Sequence, residues 1–122
     1  MRLWHEELLS RLPRAQLLGQ HRECCALRGK GWGRKHQTVN YVFDYPREYL
    51  AAYHQLVMAE MERRGYHPDP AWKDPGYCGQ FLPPVAWSDS RWPHHHPIYP
   101  EHNAQYKEEC RLNLAAKGIT IA

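Results

Sequence analysis

Eight of the ten prolines in this 122-residue chain lie between positions 66 and 100: Pro68, Pro70, Pro75, Pro83, Pro84, Pro93, Pro97 and Pro100. Proline removes a backbone donor and clashes with the preceding helical turn, and in a central strand it removes a ladder bond. Residues 66–100 therefore read as a long irregular wrap. Trp72, Trp87 and Trp92 are its aromatic anchors. Its length points to a functional or covering role rather than a simple connection. Regular structure is confined to the flanking segments.

Those segments read as helices. Over 14–27, Leu17, Leu18, His21, Cys24, Cys25 and Leu27 recur near helical spacing, with Pro13 to open the helix and Gly29 to end it. Over 47–64, Leu50, Tyr53, Leu56, Val57, Met61 and Arg64 give an amphipathic pattern. Met58 and Met61 read as core filler there, and Gly65 as the stop. Over 101–117, Glu101 in the first turn and Lys117 in the last suit the helix dipole, and Gly118 closes the run. The final ITIA is expected to pack back. Residues 29–36, GKGWGRKH, form a flexible basic loop, and 37–46 an extended crossing segment, because a lone strand has no partner. The expected fold is all-α, a compact three-helix single domain over 1–122 with long irregular connections.

Charge is distributed unevenly. Residues 1–36 carry eight Arg or Lys against three acids, whereas 37–122 carry eight against ten. A basic front on a near-neutral body suits a polyanion partner. Arg2, Arg22, Arg28, Arg34, Lys35 and His36 are the candidate nucleic-acid contacts. There is no apolar run of membrane-spanning length and no secretory pattern at the start, so no membrane association and a cytoplasmic, nucleoid-associated setting are expected. Cys24, Cys25, Cys78 and Cys110 match no zinc-finger spacing and read as free thiols. His94–His95–His96 sits between Pro93 and Pro97, on an extended path whose side chains diverge, so it reads as a wet turn rather than a metal site. Glu23 stands out: its segment is basic, which favours an ionised carboxylate, and Gly19 clears the surface one turn before it. Residue types alone leave it either a salt-bridge partner or a catalytic group.

Five short segments occur in a telling order: MRLW at the start, LLGQHRE at 17–23, RKH at 34–36, ERRGY at 62–66 and YPEHNAQYKEECRL at 99–112. Together they resemble the T4 endonuclease V-like family of pyrimidine-dimer glycosylases. The resemblance implies a compact three-helix protein acting on double-stranded, ultraviolet-damaged DNA as glycosylase and AP lyase. It implies that the N-terminal amine, here that of Met1, attacks C1′ of the damaged nucleotide. Glu23 is then expected to assist the Schiff-base and elimination steps, with Arg2 and Arg22 contacting DNA. Met1 is expected to be retained, because Arg2 is large for methionine removal. Gln16 stands where the family has a histidine and Ala26 where it has an arginine, for which Arg28 is the candidate replacement. The aromatic-basic tail of the family is absent, leaving the region around Trp87 and Trp92 as its possible substitute. The chemistry requires neither metal nor organic cofactor, and a monomer is expected. Two other readings remain open: a non-catalytic nucleic-acid-binding protein, and a metal-binding helical protein using His94–His96 with Cys78 or His102.

Overall fold

The computed structural model describes residues 2–34 and 39–121. Its core is built by α1 (Arg14–Arg28), α2 (Arg47–Arg63) and α3 (Ala104–Ala115), with no strand among the described residues. The principal packing is α1 against α2. α1 turns Leu17, Gln20, Cys24, Leu27 and Arg28 inward. α2 presents Leu50, Tyr53, His54, Val57, Met58 and Met61 among its buried residues. Leu17, Leu50 and Leu114 are completely buried, each contributing roughly 2 kcal/mol by transfer from water. Met58 and Met61 are buried as filler. α3 contributes only Cys110 and Leu114 to the interior, so it covers the core more than it builds it.

The helix boundaries follow local chemistry. Gly65, at φ +87°, closes α2, and the Tyr66 N–H returns to the Met61 carbonyl at 2.9 Å. Gly118, at φ +83°, turns the tail. Ile121 is buried, and Arg111 Nε donates to its carbonyl at 3.3 Å. α3 starts later than expected, because the Asn103 side chain accepts from the Tyr106 N–H at 2.9 Å and caps the helix there. Glu101 lies outside α3 and accepts instead from the Tyr45 hydroxyl. The segment expected to cross in extended form contains a 3-10 turn, Asn40–Asp44, with Val42 buried. A further 3-10 helix, Glu6–Arg11, was not apparent in the periodicity; it buries Leu8 and Leu9 beneath α2. Residues 66–100 do form an irregular wrap, with 3-10 turns at Pro70–Lys73 and Asp89–Arg91.

Candidate active site

Residues Arg2–Trp4 have no regular secondary structure, yet side chains from all three helices hold their backbone. Gln20 of α1 accepts the Trp4 N–H at 2.6 Å through Oε1 and donates Nε2–H to the Arg2 carbonyl at 3.1 Å. The Tyr53 hydroxyl of α2 lies 2.6 Å from the Trp4 carbonyl and 2.9 Å from Gln20 Oε1, so one hydrogen serves two acceptors. The Tyr106 hydroxyl of α3 donates to the Leu3 carbonyl at 2.5 Å. Chain termini ordinarily fray. Here a buried amide and two phenols leave the segment no slack.

Beside it opens a cavity of about 310 Å³, lined by Arg2, Trp4, Gln16, Gly19, Gln20, Glu23, Asn113 and Lys117. That size is at the lower end for small-ligand clefts. Gln16, Gly19, Gln20 and Glu23 share one face of α1 because residues three and four apart stack along a helix. A methyl added at Gly19 would meet only Arg22 Nη2, at 3.8 Å. The glycine thus keeps the wall low. Arg2 is 5.9 Å from the Trp4 ring and Lys117 Nζ is 5.2 Å from it. The half-buried Glu23 carboxylate therefore shares its cavity with two cations. Such a pocket can hold an anion-bearing ligand by its cationic wall and present a carboxylate to it.

Other expected contacts fare differently. Arg22 and Arg34 are exposed. Arg28, expected on the basic surface, is instead buried, with 4 % exposure. Its guanidinium donates to the carbonyls of Trp72 at 2.7 Å, Asp74 at 2.8 Å and Tyr77 at 3.4 Å, and lies 5.1 Å over the Trp72 ring. With its donors committed inward, it cannot replace a DNA-facing arginine. Met1, Lys35 and His36 lie outside the described residues. The histidine run diverges as expected: His94 faces Asp89 at 3.9 Å, His95 Nδ1 meets the Pro97 carbonyl at 3.0 Å and His96 Nδ1 meets Glu6 at 2.6 Å. The four cysteines are free thiols. A cluster that the sequence did not suggest does gather potential metal ligands: His21, Cys25 and His54.

Sequence reasoning also passed over Gln20 and His54. Both occupy core positions of otherwise apolar stripes. A polar side chain at such a position was the available signal.

Residues 1–74 match a family model described as pyrimidine dimer DNA glycosylase. Neither a curated protein nor a solved structure matches the chain.

Proposed function

This chain belongs to the pyrimidine dimer DNA glycosylase family, and from that premise we propose that it excises damaged pyrimidines and then cleaves the strand as an AP lyase, using the α-amine of a retained Met1. The amine bonds to C1′ as the bond to the base breaks. Ring opening gives an imine, and loss of a C2′ proton expels the 3′-phosphate. Splitting the displacement through a covalent intermediate lowers each barrier. An α-amine, with an ordinary pKa of about 7.7–8.0, keeps a useful fraction unprotonated near neutrality. Glu23 stabilises the cationic sugar and moves the protons. Arg2, Arg22, Arg34, Lys35 and His36 contact phosphates of the duplex. Residues 1–122 act as one domain, as a monomer in the cytoplasm, and the reaction uses no cofactor.

One observation carries this reading: the anchored segment Arg2–Trp4 enters the cavity that Glu23 lines. Arg2 is one peptide bond from the α-amine, and consecutive Cα atoms are about 3.8 Å apart. An amine nucleophile needs such anchoring, because positioning supplies much of its rate.

Borohydride trapping on abasic and dimer-containing duplexes tests it. The native chain should give a covalent adduct mapping to Met1, and the N-acetylated chain none. Glu23→Gln should lower the single-turnover rate by about 10²-fold or more with little change in affinity for damaged DNA. Undiminished trapping after acetylation would reject Met1, with Lys30 and Lys35 the next candidates.

A further inference from the structure

His21 and Cys25 lie one turn apart on α1, and His54 faces them from α2. His21 Nδ1 is 2.8 Å from His54 Nε2. Cys25 Sγ is 3.8 Å from His21 Nε2 and 3.9 Å from His54 Nε2. One ligand atom from each residue lies within 4.8 Å of the other two. In a tetrahedral zinc site, bonds of about 2.0–2.3 Å place nitrogen and sulfur ligands roughly 3.3–3.6 Å apart. The three side chains therefore need only small rotations to enclose an ion.

We propose that His21, Cys25 and His54 bind a zinc-class divalent cation that joins α1 to α2. A thiolate with two imidazoles selects soft or borderline metals over magnesium or calcium. Burial lowers the pKa of both imidazoles, that of His54 to about 2, so they are neutral, as ligation requires. Asp69 supplies a carboxylate close enough to raise the pKa of both His21 and Cys25. Its oxygens do not join the cluster of ligand atoms, and its Oδ1 caps the Ala71 N–H at 3.0 Å, so the fourth position is left to solvent.

Without metal, the same atoms form a hydrogen-bonded chain. Arg28 Nη1 can only donate, so His54 Nδ1, 2.9 Å away, must accept. The His54 proton is then on Nε2 and is donated to His21 Nδ1. The His21 proton is on Nε2, the nitrogen nearer Cys25. Metal binding reverses part of this arrangement. His21 keeps its Nε2 proton and ligates through Nδ1; the His54 proton moves to Nδ1 to free Nε2 for the ion, and Arg28 Nη1 gives up that contact while keeping the Trp72 carbonyl. Burial pushes the Cys25 thiol up to about 11, so it is protonated until a metal displaces the proton. The balance is one proton released to solvent per ion bound. The thiolate offsets part of the ion's charge and the Asp69 carboxylate acts on the site at longer range, which lets Arg28 stay nearby.

Glu23 lies two residues from both His21 and Cys25, about 200° around the helix. The ion would therefore brace the helix pair without reaching the cavity, and the inference stands independently of the glycosylase reading.

The test uses the full chain, stripped with chelator and titrated with cobalt(II) and then zinc(II). One equivalent of cobalt should give tetrahedral visible bands and a thiolate charge-transfer band, both bleached by zinc. Each zinc bound should release one proton, read from calorimetry in buffers of different ionisation enthalpy, and should raise the melting temperature. Cys25→Ser removes only weak contacts and should fold normally by circular dichroism. It should lose the charge-transfer band and bind zinc at least tenfold more weakly. A His94→Asn/His95→Asn/His96→Asn variant should bind like the native chain. Failure to bind stoichiometrically would overturn the site, as would binding that survives Cys25→Ser but is lost with the exposed histidines.

Discussion

Two of the irregular stretches of this molecule are held by different chemistry. The N-terminal segment Arg2–Trp4 is anchored by neutral groups: the Gln20 amide and the Tyr53 and Tyr106 hydroxyls. The wrap from 66 to 100 is anchored by ionised side chains acting on its backbone. Arg28 donates to three of its carbonyls. Glu48 accepts the Ser88 N–H at 2.8 Å and pairs with Arg91 at 2.9 Å. Glu6 accepts the Ile98 N–H at 2.6 Å. In the core a charge suffers most from loss of water unless it is matched. Glu48 is buried while its partner stays wet, Arg91 being 50 % exposed. Arg28 is itself buried, and three carbonyls and the Trp72 ring match its charge instead. The neutral anchors have no charge of their own to lose in acid, whereas Glu48 makes its part of the wrap responsive to pH.

Acid stresses both regions at once and should have the largest effect. Burial, with Arg28 and then His21 adding to it, lowers the His54 pKa from 6.5 to about 2; burial and His5 lower that of His102 to about 3. Both stay neutral in the folded chain while the unfolded chain protonates them. Their contribution is intact above pH 6.5 and is lost as pH falls towards the folded values. Between pH 6 and 4 unfolding should take up at least these two protons, with His5 and His21, also lowered by burial, adding in the same sense, so stability should fall by roughly 3 kcal/mol or more per pH unit. Urea denaturation at pH 7, 6, 5 and 4 measures this, and a flat profile would refute it.

Gln20→Leu isolates the neutral anchor. It strands the Trp4 N–H and the Arg2 carbonyl together and should cost about 2–4 kcal/mol. Borohydride trapping should fall more than duplex affinity, because the terminus loses its position. A loss below about 0.5 kcal/mol, the usual range for surface changes, would show that the segment is held by packing alone.

Glu48→Gln isolates a charged anchor and should have the smallest effect. Burial pushes the Glu48 carboxyl up, but the Ser88 N–H and Arg91 outweigh this and hold it below its ordinary value. Its stabilisation is therefore present above the unfolded pKa of 4.5 and lost as pH falls through the folded value. Because Arg91 is half in water, about 1 kcal/mol is expected. Limited proteolysis should show faster cleavage around Ser88–Arg91 with the N-terminal segment intact. Cleavage spread evenly along the chain would erase the distinction between the two regions.

The helices were legible because their stops are local: Gly29, Gly65 and Gly118 each follow a periodic run. The start of α3 was misplaced, since Glu101 suits a helix dipole while the Asn103 cap, three residues before Tyr106, is the stronger local signal. Glu23 and Gly19 could be placed on one face from spacing alone. Arg28 was misjudged because charge counts carry no direction. It extends the stripe Leu17, Cys24, Leu27 that faces α2, and its acceptors lie more than forty positions away. The meeting of His21, Cys25 and His54 depends on how α1 and α2 pack, which no local pattern encodes.

Arg28 also bears on where an autonomous piece of this protein can end. It grips the carbonyls of Trp72 and Asp74, within the stretch that matches the family model, and that of Tyr77, just beyond it. The matched stretch also relies on Ile98, Tyr99, Cys110 and Leu114 to close its core, and on Tyr106 to hold Leu3. Residues 1–74 carry the family match without holding all of the contacts that close their core. The Gln20 and Tyr53 contacts to Arg2 and Trp4 come from within that stretch, whereas the Leu3 carbonyl is satisfied only when α3 brings Tyr106 to it.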